Sequence, residues 1–509
     1  MQKKDVLTIR LNIEDNVVVA LSDLKAGTAI KTDGTVSRDA IPAGHKIATG
    51  SIHKGRHIYK YGQIIGAATR DIKAGDHVHT HNVEMSEFNR DYSVGPDLKS
   101  VDFVPEKEQA TFNGIVRNDG QVATRNYIGV LPGVACSASV SRYIADLFTD
   151  EILSAYPNVD GVVGLTQTSG CGQSAYGEGF EILQRSLAGY GRHPNFWGVL
   201  FVGLGCEVNQ LESMFANTGL ETSDKLHAFT IEETGGTERT INRGVDIIKE
   251  MLPEANRVKR QSVSAANLVL GMECGGSDAY SGITANPALG AAADLVVRNG
   301  GTAILSETTE IYGAEHLLAQ RADSQEVANK LIDLIDWWEK YTKINGAMIN
   351  NNPTPGNKAG GLTTILEKSL GAVAKGGSTR LMAVYRYAET VREKGFVFMD
   401  TPGYDVVSIT GMIAGGANII CFTTGCGSVL GCKPSPVLKL ASNSSMFNKL
   451  SDDMDINCGI IAEGEASVEE MGKVIFEEIL ETASGKKTKS ECYGYGDNEF
   501  VPWHIGAVL

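Results

Sequence analysis

Four times along the middle of this chain a short apolar run ends in a glycine-rich segment that carries a cysteine. Val130-Leu131-Pro132-Gly133 leads to Cys136-Ser137, and Val162-Val163-Gly164-Leu165 leads to Ser169-Gly170-Cys171-Gly172. Val199-Leu200-Phe201-Val202 leads to Gly203-Leu204-Gly205-Cys206-Glu207, and Leu268-Val269-Leu270 leads to Glu273-Cys274-Gly275-Gly276-Ser277-Asp278. Each run has the length of a buried strand. Helical patterns lie between and beyond them, at Ser139 to Leu153, Gly244 to Met251 and Glu326 to Tyr341, so this part reads as α/β with mainly parallel sheets. Such sheets gather ligands at the carboxyl ends of their strands, where glycine lets the backbone approach a bound group. The Cys274 segment continues through Ser281-Gly282-Ile283-Thr284-Ala285-Asn286-Pro287, which packs a thiol, a carboxylate, hydroxyls and an amide into a few residues.

Residues 1–85 follow a different pattern. Alternating segments such as Val17-Val18-Val19-Ala20-Leu21 and Ile58-Tyr59-Lys60-Tyr61-Gly62 are separated by Pro42-Ala43-Gly44, His53-Lys54-Gly55 and Lys73-Ala74-Gly75 turns, which predicts an all-β domain. Residues 86–111 are polar, hold Gly95-Pro96 and Pro105, and read as a linker. Two α/β lobes are expected beyond it, over 112–260 and 261–509, and a length of 509 residues suits about three domains.

A formal charge of −15 without a long Lys/Arg run argues against a nucleic-acid partner. The amino terminus carries no apolar signal segment, and no uncharged apolar stretch reaches the ~18 residues that span a bilayer. The expectation is a cytoplasmic protein with no membrane partner. Nine cysteines in such a chain point to reduced thiols or metal ligands. An anionic substrate must then meet a local cluster of cations or a metal.

Three constellations can carry chemistry. Cys136, Cys171, Cys206 and Cys274 at strand ends suit iron or an iron-sulfur cluster, although the C-x-x-C spacing typical of clusters is missing, and buried cysteine also serves as a small hydrophobe. His77-Val78-His79-Thr80-His81 puts three imidazoles on one side of a strand. Residues four apart on a strand are separated by about 13 Å, and a histidine–metal bond is about 2 Å. Neighbours such as His77 and His79 can therefore share an ion, whereas all three on a straight strand cannot; a solvated histidine-rich edge is the plain alternative. Gly44-His45-Lys46 sits at a turn, where an imidazole and an ammonium supply a base and an anion contact, or simply surface.

The chain resembles the altronate and galactarate dehydratase family. The resemblance runs from Asp15-Asn16-Val17, Gly44-His45-Lys46 and Lys60-Tyr61-Gly62 through Gly120-Gln121-Val122-Ala123-Thr124-Arg125-Asn126. It continues through the Cys206 and Cys274 segments to Asn352-Pro353-Thr354-Pro355-Gly356-Asn357-Lys358-Ala359-Gly360-Gly361. It implies an N-terminal SAF (β-clip) domain ahead of a large two-lobed α/β region, and an activity supported by a divalent metal, typically Fe2+, with Mn2+ or Mg2+ as alternatives. The metal ligands on this view come from Cys136, Cys171, Cys206, His77 and His79. The base is His45 with Lys46 nearby, Cys274 lines the catalytic site, and Asp278 is acid or ligand. Arg125, Asn126, Ser277, Thr284, Asn286, Asn357 and Lys358 hold the substrate.

The implied reaction dehydrates an altronate-like aldonate to a 2-keto-3-deoxy acid: a proton leaves beside the carboxylate and the 3-hydroxyl departs as water. The family usually shows Gly-Arg-Gly-Thr-Pro late in the chain, where this sequence has Gly425-Cys426-Gly427-Ser428-Val429. Cys426 in place of arginine argues against a galactarate-like diacid. Alternatives are galactarate dehydration, elimination of sulfite from sulfolactate, and a sugar-acid binding protein without turnover. Homo-oligomerisation is open.

Overall fold

A computed structural model describes residues 7–31, 33–95, 98 and 100–507. Its amino-terminal domain is all-β. Thr8–Ile9, Val17–Ala20, Lys46–Ala48 and His77–Val78 form one antiparallel sheet, and His57–Lys60, Gln63–Ala68 and Val83–Glu84 form another. Val17–Ala20 is buried on both faces. Ile58, Ile65, Ile72 and Val78 belong to the same apolar core as Leu289, Ala292 and Leu305 of the last lobe, so the small domain is seated on the large region by core packing.

The first α/β lobe is a four-stranded parallel sheet in the order Gly161–Gly164, Tyr127–Pro132, Phe196–Gly203, Leu226–Thr230. The second holds seven parallel strands, in the order Leu381–Tyr385, Gly395–Met399, Thr302–Leu305, Val269–Cys274, Ile419–Thr424, Val437–Ala441, Ile456–Asn457. An antiparallel pair, Thr111–Val116 with Gln261–Ser264, stitches the entrances of the two lobes together. Described residues of the segment 86–111 are bonded to the second lobe: Tyr92 Oη donates to Glu315 at 2.7 Å and the Val104 N–H donates to the Arg298 carbonyl at 2.8 Å.

Two helices fix the geometry that matters below. Ala285–Arg298 packs closely on Val468–Ala483, because Gly472 lies where any Cβ would come within 2.5 Å of Ala291. Ile365–Val373, capped by the Thr364 hydroxyl, is buried along its whole length and carries Glu367 and Lys368 side by side. Among the described residues no helix is long and apolar enough to cross a membrane.

Candidate functional site

The strand Lys46–Ala48 pairs with His77–Val78 in a register that puts His45 opposite His79. The strand at His77 then stops and turns, with the His79 N–H donating to Asn82 Oδ1 at 2.9 Å. That bend removes the straight-strand spacing. His45, His77 and His79 each offer a ring nitrogen within 4.8 Å of the others, and the His81 ring lies tilted against His77 with ring centroids 5.2 Å apart.

His45 Nε2 lies 3.1 Å from the Ala359 carbonyl oxygen, and His45 Nδ1 lies 2.9 Å from His77 Nε2. A bond from Nε2–H to a carbonyl leaves the Nδ1 lone pair facing the other rings, the usual support of a metal-binding histidine. His79 Nδ1 is buried with no hydrogen-bond partner. Burial lowers all three imidazoles, His77 to about 4 and His79 to about 3. They are therefore neutral at pH 7, the form that binds metals. An orphaned nitrogen beside two neutral imidazoles fits a divalent ion.

His45 Nε2 is taken up by the Ala359 carbonyl and its Nδ1 faces His77, so the ring is turned into the imidazole cluster. Lys46 points the other way, because adjacent strand residues face opposite sides. Its ammonium is fully buried and donates to the Gly361 carbonyl at 2.6 Å and to Glu367 Oε2 at 2.9 Å, while Lys60 reaches Glu367 Oε1 at 2.9 Å. Burial brings Lys46 down to about 8. Burial alone would also lower Lys60 and raise Glu367, yet their mutual attraction raises the one and holds the other far below the ordinary carboxylate range. This triad ties the small domain to the helix Ile365–Val373; Lys46 is out of reach of a substrate.

A second cluster lies at the carboxyl ends of the seven-stranded sheet. The Cys274 Sγ–H donates to Glu307 Oε2 at 3.3 Å and to Glu310 Oε2 at 3.4 Å. Lys375 Nζ meets Glu307 at 2.5 Å and Lys368 Nζ meets Glu310 at 2.6 Å. Burial and Glu307 push the Cys274 thiol well up, so it stays protonated and is a poor nucleophile. Cys274, Glu307 and Glu310 also lie close enough to share an ion. Two ammoniums already neutralise their carboxylates, so the donor set fits a cation less well than the imidazoles do. Glu307, Glu310, Lys368 and Lys375 were missed in the sequence. Ser306-Glu307-Thr308-Thr309-Glu310 follows the apolar strand Thr302–Leu305, the same signal that marked the cysteines.

Ser277, Asp278, Asn357 and Lys358 come together at the contact between the domains. The Ala279 N–H donates to the Gly360 carbonyl at 2.9 Å, one residue from the His45 anchor, and Asn357 Nδ2 donates to the Ser277 carbonyl at 2.8 Å. Ser277 Oγ is buried and unpartnered. Lys358 is half-buried and makes no ion pair among the described residues. Asp278 accepts from Ser281, Ser442 and Asn443 and thereby joins two loops, while burial raises its carboxyl.

Several expected substrate contacts are spent elsewhere. Arg125 and Asn126 precede the strand Tyr127–Pro132 and so lie at the amino end of their sheet, away from its ligand edge. Arg125 forks onto Glu491 at 2.6 and 2.7 Å and caps the carbonyls of Thr482 and Lys486. Asn126 holds the carbonyls of Asn158 and Ala255. Thr284 donates to Ser442 O, Asn286 bridges Gly371 O and Thr423, and Asn357 Oδ1 accepts from the Thr354 N–H in the helix cap. Cys136, Cys171 and Cys206 are exposed on the first lobe and do not join the imidazole group.

A β-rich head seated on a parallel-sheet lobe, with an imidazole cluster at the contact between them, defines a multidomain α/β protein. Residues 6–86 match the altronate/galactarate dehydratase SAF domain, 114–256 match the D-galactarate dehydratase/altronate hydrolase second domain, and 265–508 match the D-galactarate/altronate dehydratase C-terminal family. The chain is 34% identical over 487 residues to the altronate dehydratase of Bacillus subtilis (strain 168), covering 95% of this chain and 96% of that one. It is 37% identical over 500 residues to the galactarate dehydratase (L-threo-forming) of Escherichia coli (strain K12), covering 96% and 94%. It is 30% identical over 401 residues to the (2R)-sulfolactate sulfo-lyase subunit beta of Chromohalobacter salexigens, covering 78% and 98%. The chain belongs to the D-galactarate/altronate dehydratase family.

Proposed function

We propose that this protein is a hydro-lyase that dehydrates a sugar acid, with a six-carbon aldonate of the altronate type as substrate and a 2-keto-3-deoxy acid as product. The reading rests on one observation above the others: the small domain delivers three neutral imidazoles to the loop Asn357–Gly361 of the catalytic lobe, with His45 anchored on Ala359. His45, His77 and His79 hold a divalent metal, with Fe2+ the first choice. When bound, such an ion acts as a Lewis acid toward a carboxylate and its neighbouring hydroxyl.

The side chains around it supply the remaining work. Lys358 meets the substrate carboxylate as a point charge. Ser277 Oγ, without another partner, takes a hydroxyl. His81, exposed beside His77, accepts the proton from the carbon next to the carboxylate. Asp278, raised by burial, keeps a proton more readily than an exposed carboxyl and donates it to the departing 3-hydroxyl. The paired lysines on Glu307 and Glu310 hold the floor of the lobe rigid beneath these groups.

The test is a panel of aldonic and aldaric acids, plus sulfolactate, given anaerobically to the ferrous-loaded protein with 2-keto acid and sulfite as readouts. Keto acid from an aldonate supports the reading. Sulfite from sulfolactate, or no product from any acid, overturns it.

A further inference from the structure

We infer that Cys136, Cys171 and Cys206 together hold an iron-sulfur cluster at the carboxyl edge of the four-stranded sheet. These thiols lie in the loops that follow the strands Tyr127–Pro132, Gly161–Gly164 and Phe196–Gly203, which are neighbours in the sheet. The chain leaves Tyr127–Pro132 to pair on one side and returns to pair on the other, so Cys136 and Cys206 flank the switch point where open sheets bind ligands.

The three loops are bonded into one surface. The Ala135 N–H donates to the Ser169 carbonyl at 2.8 Å, and the Asn209 N–H donates to the Gly170 carbonyl at 3.0 Å. Asn209 Nδ2 reaches the Gly133 carbonyl at 3.0 Å. Gly170, at φ +93°, lies where a Cβ would come within 2.8 Å of Gly133 O, so glycine next to Cys171 is what lets its loop close on the Cys136 loop.

Cysteine is among the most buried residue types, and Cys421, Cys432 and Cys458 obey that rule here, yet Cys136, Cys171 and Cys206 are all exposed along one edge. Their sulfurs do not all fall within the 4.8 Å that the imidazoles achieve. A single ion needs such closeness, whereas a cluster of several irons and sulfides spans more. Three thiolates supply one ligand fewer than a four-iron cluster takes, which leaves one iron open to an oxygen ligand. The Cys171 loop runs into the helix Glu178–Gly191, and Glu178 lines a cavity of about 650 Å³ with Asp400, itself bonded to Thr308 between Glu307 and Glu310.

The inference stands apart from the dehydratase reading, because iron and sulfide are counted without turnover. The full chain is purified anaerobically, incubated with ferrous ion and sulfide, desalted and analysed for both. Expected are about four irons and four sulfides per chain. Each single variant, Cys136→Ser, Cys171→Ser and Cys206→Ser, is expected to lose at least half of both, and the triple variant to fall to background with an unchanged thermal midpoint. In the loaded protein the three thiols should resist iodoacetamide while the exposed Cys492, in a separate part of the sequence, reacts. Iron without sulfide, neither, or undiminished iron and sulfide in the triple variant overturns the inference. Should the triple variant misfold, equal alkylation of the three thiols before and after loading overturns it by itself.

Discussion

The Nε2 of His45 stands 3.1 Å from the carbonyl oxygen of Ala359, so the ring that begins the imidazole cluster is fixed by a bond to a different domain. Metal affinity and domain docking are then linked. Removing His79, whose Nδ1 has no other partner, should weaken the binding of a divalent ion by about 10–100-fold or more. Titration of His79→Ala with Mn2+ against the parent protein checks this. Equal affinities would move the ion to another site.

The buried Lys46–Glu367–Lys60 triad makes its own demand. In Glu367→Gln two ammoniums are left in the core facing an amide, and breaking a buried pair in this way costs about 3–5 kcal/mol. Chemical denaturation should register that loss, and proteolysis should cut near residues 86–111 earlier as the small domain lifts. A loss below about 1 kcal/mol would mean that water reaches the triad.

Asp405 predicts a pH dependence. Burial, followed by the charges of Glu307 and Glu310, raises its carboxyl from 3.8 to about 7. The folded protein then keeps that proton up to about pH 7, whereas the unfolded chain loses it near pH 3.9. Between those values the folded state binds more protons, so stability falls as pH rises. The contribution is fully present below the unfolded value and lost above the folded one. Asp405→Asn stays neutral throughout, and its advantage over the parent should grow across this window to a ceiling of about 4 kcal/mol. Denaturation midpoints of both proteins at several pH values give the slope; parallel curves would sink the assignment.

The sequence made the architecture legible through local pattern. Apolar runs ending at Gly133, Gly164, Gly203 and Cys274 are parallel strands, and the turn-punctuated first 85 residues form antiparallel β structure, because each depends on near neighbours. Site membership depends on distant ones. His45 joins His77 only through strand pairing, and the bend after Val78 that swings His79 inward is set by Asn82. Glu367 and Lys368 are adjacent in sequence yet serve two different clusters, a division made by the faces of one buried helix. Arg125 reads like a carboxylate binder and is one, but its carboxylate is Glu491, more than three hundred residues away.

That pairing separates structure from binding. Arg125→Ala leaves Glu491 buried without its cation, at a cost of about 3–5 kcal/mol. The substrate KM measured on the folded fraction should stay that of the parent. A raised KM with unchanged stability would return Arg125 to the substrate.

Cys426 offers a test of substrate choice. Its N–H donates to the Gly276 carbonyl at 3.0 Å, its side chain is exposed, and Asp278 lies close enough to raise its thiol further after burial has done so. The position therefore faces the loop that carries Ser277 and Asp278. An arginine there would meet Asp278 on one side and present its remaining donors outward, where a diacid carries its second carboxylate. One charge-assisted bond contributes about 1.5–3 kcal/mol. Cys426→Arg should then raise kcat/KM for an aldarate relative to an aldonate by about tenfold or more. If the ratio stays put while both activities survive, the second carboxylate is read elsewhere, and the cysteine does not decide between the two classes of acid.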